Sequence, residues 1–375
     1  MILVLNCGSS SIKYRLFDDD MRALDRGLIE HIGEPGGPAS HLDALKGTAE
    51  RLHLDAPDLR AIGHRVVHGG SRFVQPILLT DEVVAAINEL TPLAPLHNPP
   101  NLAGIEVARQ LRPDVPQVAV FDTAFHATLP GAAANYALDA GLAQRLGIRR
   151  YGFHGTSHAY VSRQTAVLLD RPLETLNTIV LHLGNGASAC AVRGGRSVET
   201  SMGMTPLEGL VMGTRTGDID PAVVLHLNRV GGMSLDEIDA TLNRRGGLFG
   251  LCGDNDLRAV LARRNGGDPA ATLAFDVYCH RIRKYVGAYA AVLGRLDAIT
   301  FTGGVGENAA EVRVAALAGL DLFGVAVDEA RNAASTREPR VISPDVARVA
   351  VCVVPTDEER QIATETMAVV NAQQR

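Results

Sequence analysis

The sequence predicts an α/β protein built from a duplicated domain. Two observations carry the prediction. Short apolar, strand-like runs alternate along the chain with longer helix-like segments. One pattern also occurs twice. Leu3-Val4-Leu5-Asn6-Cys7-Gly8-Ser9-Ser10-Ser11 is echoed by Ile179-Val180-Leu181-His182-Leu183-Gly184-Asn185-Gly186-Ala187, 176 positions further on. Each copy is an apolar strand, a Gly-rich polar turn and a second strand (Ile12 to Phe17; Ser188 to Val192), as a repeated unit would be. At 375 residues the chain is long enough for two domains that each bury a core.

Taken in order, residues 2–6 and 12–17 flank the first turn as strands, and the Gly/Pro-rich stretch Gly33 to Pro38 is a loop. Further strands fall at 116–121, 178–183, 188–193, 297–302 and 349–354, each a short apolar run bounded by turn residues. Helices fall at 42–54, 81–90, 101–111, 157–169, 221–229, 234–244, 270–294, 308–318 and 358–372.

Composition narrows the function. The chain is 46% apolar and 21% charged, as globular proteins are. Aromatics make up 4% with no Trp, too few for base-stacking platforms. A net charge of -6 argues against nucleic-acid and polybasic membrane surfaces. The five cysteines (Cys7, Cys190, Cys252, Cys279, Cys352) are scattered, without Cys-x-x-Cys, which fits reduced thiols in a cytoplasmic protein. The N-terminal apolar run stops at Leu5 with no basic region before it, so no signal peptide is expected. No apolar stretch reaches the ~20 residues that span a bilayer.

Four polar, Gly-rich segments carry the chemistry. In Asn6 to Lys13, Gly8 lets the backbone bend, and amides and hydroxyls beside a lysine suit a phosphate. It is not a Walker loop, because no Gly-x-x-x-x-Gly-Lys-[Ser/Thr] occurs; a plain polar hairpin is the bland alternative. Gly63-His64-Arg65-Val66-Val67-His68-Gly69-Gly70 sets an arginine among histidines and glycines. Seven histidines (64, 68, 97, 126, 154, 158, 182) are expected in loops, where catalytic groups tend to lie. Met212 to Pro221 places Arg215 among Gly and Thr, where its bidentate fork can approach a phosphoryl group; a surface ion pair is the ordinary role of a lone arginine. Phe301 to Asn308 puts glycines between a strand and a helix opening at Asn308, where an anionic ligand can lie on the backbone. Asp357-Glu358-Glu359 after the last strand could cap a helix, or hold Mg2+ through water. The pairs His64/His68 and His154/His158 have zinc-like i,i+4 spacing. Their intervening residues do not suit a helix interior and no His-Glu-x-x-His occurs, so catalytic zinc is not expected.

Taken together these segments point to one family. NCGSSSIK at 6–13 and GHRVVHGG at 63–70 closely resemble the two signatures of the acetate kinase family. PLHNPPN (95–101), FDTAFH (121–126), RRYGFHGTSH (149–158), HLGNGAS (182–188), MTPLEGL (204–210), MGTRTGDIDP (212–221), FTGGVGEN (301–308) and PTDEE (355–359) match it too, in family order. The resemblance implies two duplicated ribonuclease H-like (actin/Hsp70-like) α/β domains with an interdomain nucleotide cleft. The N-terminal domain (1–124 plus 360–375) would take the carboxylate, and the C-terminal domain (125–359) the nucleotide and the dimer contact. It also implies reversible phosphoryl transfer between ATP/ADP and acetate/acetyl phosphate, with Mg2+ (or Mn2+), by a cytoplasmic homodimer.

Carried over residue by residue, the resemblance makes Asn6 and Glu358 organisers of the metal. Arg65, Arg215, Asp122, His154 and His97 become catalytic positions, and Arg65, Val67, Leu96, Phe153 and Pro206 substrate positions. The nucleotide would meet Lys13, His182, Leu183, Gly184, Asn185, Gly186, Asp256, Leu257, Arg258, Gly304, Val305, Gly306 and Asn308. Two departures stand out: a deficit between Glu30 and Ala61, and a looser adenosine-side stretch at Leu251 to Arg258.

Substrate chemistry shapes the expected mechanism. Acetate, with a pKa of ~4–5, is already a nucleophile at pH 7 and needs no general base. Direct in-line transfer is expected, with Asp122 orienting Arg65 or His154; a phosphorylated Asp or His enzyme is the rival. A propionate- or butyrate-preferring kinase is the nearest alternative activity, and a nucleotide-dependent binding or filament protein the alternative class.

Overall fold

The structure is a computed structural model that describes residues 1–47, 54 and 56–373. The chain divides into two compact units. The first comprises Met1–Ala127, Phe153–Ser157 and Asp357–Arg375; the second comprises Thr128–Gly152 and His158–Thr356.

The first unit is built on a six-stranded sheet. Its strands are β1 (Ile2–Cys7), β2 (Ile12–Phe17), β3 (Ala23–Ile29), β4 (Ala61–Val66), β5 (Ile77–Leu78) and β6 (Gln117–Phe121), in the order β3-β2-β1-β4-β6-β5. Both faces of β1 are buried, so its run is continuously apolar rather than alternating. Leu3, Leu5 and Cys7 pack with Val107, Ala108 and Leu45 on one face. Ile2 and Val4 pack with Ile362, Ala363, Met367 and Val370 of helix Glu358–Gln373 on the other.

The second unit has a matching six-stranded sheet. Its strands are β7 (Asn177–Leu183), β8 (Ala187–Arg193), β9 (Arg196–Thr200), β10 (Ala298–Thr302), β11 (Arg340–Val341) and β12 (Ala350–Val353), in the order β11-β12-β10-β7-β8-β9. Read from the opposite edge, the two orders coincide. β1 pairs antiparallel with β2 and parallel with β4, as β7 does with β8 and β10. Asn6 precedes Gly8 by two residues, as His182 precedes Gly184, so the echoed turns occupy equivalent hairpins. The helix Pro269–Leu293 lies against β8 and is the longest described.

Several expectations need correction. Strands β3, β4, β5, β9 and β11 and the helices Ala140–Leu146, Gly247–Cys252 and Leu257–Asn265 were not anticipated. β4 was hidden by Gly63, which reads as a breaker. A Cβ there would lie 2.4 Å from Thr366 Oγ1 of the packed helix, so the glycine permits close approach within a buried strand. β3 was hidden because it is an edge strand whose Leu24 and Leu28 face outward. The expected helix 42–54 is described as His41–Gly47, and most of its remainder lies outside the described residues. The helix expected at 308–318 is two pieces, Gly303–Asn308 and Ala310–Leu317; Asn308 closes the first rather than opening the second.

The histidines are also less loop-bound than expected. His64 lies in β4, His182 in β7, His126 in a 3-10 turn and His158 inside helix Gly155–Leu168. Gly and Pro near a histidine mark a turn within a residue or two, not the histidine's own conformation.

Candidate functional site

In the first unit, adjacent parallel strands aim Arg65 and Asp122 at each other. β4 ends at Val66 and β6 at Phe121, and the Asp122 amide donates to Val66 O at 3.0 Å. Arg65 Nε donates to both Asp122 oxygens at 3.2 and 3.1 Å, and Nη2 to Oδ2 at 2.5 Å. Nη1 donates to Asn6 Oδ1 at 3.3 Å, joining the first turn to the pair. Burial works against the Arg65 charge, but Asp122 and Glu358 outweigh it and raise its pKa. Asp122 is 1% exposed and also accepts from Thr156 Oγ1 at 3.1 Å. The Gly155 amide donates to Asp122 O at 2.9 Å, and a Cβ at Gly155 would sit 2.1 Å from that oxygen.

Around this pair, Val67 and Phe153 are buried, and Phe153 meets the His68 ring edge-on at 5.5 Å. His154 follows at φ 55°. His97 precedes helix Asn98–Leu111, while Leu96 is 57% exposed. Glu358 opens the last helix. Burial, with Asp122 and Glu359 nearby, pushes its carboxyl up to about 7 against the pull of Arg65. Lys13, expected on the nucleotide, is ion-paired with Glu359 at 2.5 Å. The pairing follows from register: Lys13 sits opposite Asn6 in the hairpin.

In the second unit, a pocket of about 600 Å³ is lined by expected residues from three separate segments. Gly184 and Asn185 come from the β7–β8 turn, Asp256, Leu257 and Arg258 from a helix start, and Gly304, Val305 and Asn308 from the Gly-rich helix after β10. Leu183 and Gly306 are buried, and His182 is partly buried in β7; they and Gly186 do not line the pocket. Asp256 caps its helix through the Arg258 amide at 2.9 Å and also pairs with the Arg258 side chain. Unanticipated walls are Gly213, Leu248, Asn255, Leu261, Tyr278 and Ala309. Gly213 and Asn255 belong to segments already singled out but were given no role, whereas Leu248, Leu261 and Tyr278 lie in helices without motif character.

Beneath the Gly-rich helix lies Arg313, 1% exposed. It donates to Gly306 O, Glu307 O and Asn332 Oδ1 at 2.9, 3.1 and 2.7 Å. Burial brings its pKa down to about 10. Glu307 Oε1 accepts from the amides of Gly303 (2.9 Å) and Thr356 (3.2 Å), fixing the same turn. Arg313 did not stand out in the sequence, because an arginine in a helical stretch usually faces water; Glu307 lies in the Gly-rich motif but was given no role there.

Also in this unit, Arg215 donates to Pro206 O at 2.9 Å and to Met212 Sδ at 3.5 Å. Among the described residues it has no acid partner, and burial lowers its pKa. A partly buried guanidinium without an acid could receive an anion.

Among the described residues no group of three or more His, Cys, Asp or Glu side chains could hold a metal ion. Mg2+ needs no such cage, because it is held by one or two carboxylates plus phosphate and water. Glu358 is a carboxylate that could serve in that way, and Asn6 Oδ1, which accepts from Arg65, is a neutral oxygen that could join it. No helix of the described residues is long and apolar enough to cross a membrane.

A pocket walled by a Gly-rich turn and a Gly-rich helix, in a unit that also carries a partly buried arginine without an acid partner, fits the phosphoryl-transferring enzymes of the kinase class. Comparison with known proteins specifies which. Residues 38–364 match the model of the acetokinase family. A curated acetate kinase from Streptomyces griseus is 62% identical, over 98% of this chain and 96% of its own length. The crystal structure of Porphyromonas gingivalis acetate kinase has TM-score 0.93 at 40% identity, covering 98% of this chain and 99% of that one. A propionate kinase from Francisella tularensis has TM-score 0.92 at 41% identity, with the same coverage of both chains. The chain therefore belongs to the acetokinase family and is a phosphotransferase.

Proposed function

We propose that the enzyme works by direct in-line transfer, with no general base and no phosphorylated intermediate. It phosphorylates acetate, or a closely related short-chain carboxylate, with ATP to give the acyl phosphate. A carboxylate oxygen forms a bond to the γ-phosphorus, the bond to the β,γ-bridging oxygen breaks, and ADP leaves. No proton moves. The observation that carries the reading is the commitment of Asp122: both its oxygens are engaged by Arg65, and one also by Thr156. Such an aspartate orients a cation and is poorly placed to act as base or nucleophile. Transfer from ATP chiral at the γ-phosphorus tests this, since inversion is expected and retention overturns it.

Arg65 and Arg215 then neutralise charge on the equatorial oxygens, aided by His154 and His97. Val67, Leu96, Phe153 and Pro206 would surround the acceptor's methyl group. The β7–β8 turn and the Gly-rich helix would hold the nucleotide. Asn6 and Glu358 would hold Mg2+ (or Mn2+), which, when bound, neutralises phosphate charge. Arg65→Ala and Arg215→Ala should each lower kcat by ~10³ or more. Trapping the acyl phosphate as a hydroxamate measures this, and near wild-type turnover would remove either arginine from the reaction.

The coinciding strand orders support a duplicated, ribonuclease H-like pair of domains, with 1–124 plus 360–375 serving the carboxylate and 125–359 the nucleotide and dimer contact. Reversibility, a homodimer and a cytoplasmic setting complete the reading; the five unbridged cysteines fit the last. The near-equal likeness to an acetate and a propionate kinase keeps propionate as the alternative acceptor. One methylene is worth only ~1–3 kcal/mol, so kcat/KM for acetate, propionate and butyrate must be compared directly.

A further inference from the structure

From Ser201 to Asp220 the chain runs without helix or strand, and this segment carries both Pro206 and Arg215. Structureless loops beyond about 12–15 residues are uncommon in compact domains and tend to be functional. Of the three acids inside the loop, Asp220 caps the helix Pro221–Arg229 through the Ala222 amide at 2.9 Å, and the other two, Glu208 and Asp218, are each gripped by one arginine and one tyrosine from outside it. Arg150 Nη2 donates to Glu208 Oε1 at 2.6 Å, and the Tyr136 hydroxyl donates to Glu208 Oε2. Arg281 Nη1 lies 3.6 Å from Asp218 Oδ2, and the Tyr285 hydroxyl donates to the same oxygen at 2.9 Å.

The same arginines hold the loop's backbone. Arg150 donates to Ser201 O and Met202 O at 3.3 and 3.1 Å, and Arg281 to Gly209 O and Asp218 O at 2.8 and 3.2 Å. Gly209 and Asp218 then close on each other: the Asp218 amide donates to Gly209 O at 3.0 Å and the Gly209 amide to Asp218 Oδ1 at 2.9 Å. Arg215 sits within that closure.

The charge pattern matters as much as the geometry. Glu208 and Asp218 are each matched by an outside arginine and Asp220 is engaged as a helix cap, so none of the loop's three acids quenches Arg215. We infer that Glu208 and Asp218, with their Arg–Tyr partners, are positioning residues that hold Arg215 in place and keep its charge for the transferring phosphoryl group. The inference rests on the catalytic reading of Arg215. Misplacement by about 1 Å can cost on the order of 10²-fold in rate.

The test is a double-mutant cycle on the full-length enzyme. Glu208→Gln and Asp218→Asn, with the milder Tyr136→Phe and Tyr285→Phe, are each made alone and on an Arg215→Ala background. The carboxamide variants should lower kcat about tenfold or more and the phenol variants less, with KM for ATP within about twofold. On Arg215→Ala the same changes should cost less than about twofold further, since nothing remains to position. An equal loss on both backgrounds, a loss confined to KM for ATP, or no loss in any of the four overturns the clamp. These outcomes differ from failure of the underlying reading, in which Arg215→Ala alone would retain near wild-type turnover.

Discussion

His154 is a non-glycine residue at φ 55°, in the left-handed region, directly before helix Gly155–Leu168. A side chain there costs on the order of 1 kcal/mol, and such strain tends to persist where function requires the side chain. His154→Gly should therefore keep stability or raise it by up to about 1 kcal/mol while lowering kcat at least about 10²-fold. Urea unfolding and hydroxamate-coupled turnover measure the two. A loss of more than about 1 kcal/mol would make the imidazole a structural post instead. The next two positions bind the same aspartate, Gly155 by its amide and Thr156 by its hydroxyl. The motif around His154 was legible in the sequence, but the strained backbone was not: a φ angle leaves no mark when the residue is not glycine.

At the scale of elements, β4 shows what the sequence could and could not tell. Arg65 stood out through its neighbours, yet the strand that carries it was obscured by Gly63. The reason for that glycine lies about 300 residues away, in Thr366 and Ile362 of the last helix. The paired hairpins β1–β2 and β7–β8 were legible because strand, turn and strand are contiguous in the chain. The clamp on Arg215 was not, because its members come from four distant segments. β4 also carries His64, whose ring hydrogen-bonds Gln117 Oε1 at 2.8 Å. Burial pushes His64 down to about 4, against a smaller opposing effect of that bond, so the folded protein keeps it neutral. Below the unfolded value near 6.5, the unfolded chain takes up a proton that the folded one refuses. Stability is thus full above about 6.5 and falls as pH drops toward 4. Between pH 7.5 and 5 this group should remove about 2 kcal/mol. Urea midpoints for wild type and His64→Gln at both pH values check it; equal pH dependence in the two proteins counts against a buried neutral imidazole.

At the scale of the whole molecule, the last helix is the most consequential placement. Glu358–Gln373 follows the second sheet in the chain, yet its Ile362, Ala363, Met367 and Val370 complete the first unit's core against Ile2, Val4, Val118 and Val120. Its first turn also supplies Glu358 and the Lys13 partner Glu359. The first unit therefore cannot close until the end of the chain is present, whereas the second is contained between Thr128 and Thr356 and holds no residue of that helix. Each large apolar side chain lost from such a core costs on the order of 2–5 kcal/mol, so three of them approach the whole stability of a domain. A chain ending at Thr356 should expose the apolar face of β1, β4 and β6 and lose slow amide exchange there, while β7, β8 and β10 retain it. Hydrogen exchange read by mass spectrometry, strand by strand, distinguishes the cases. Equal protection of both sheets in the shortened chain would mean that the first unit folds without its closing helix. Uniform loss would mean that the second unit's stability depends on the first.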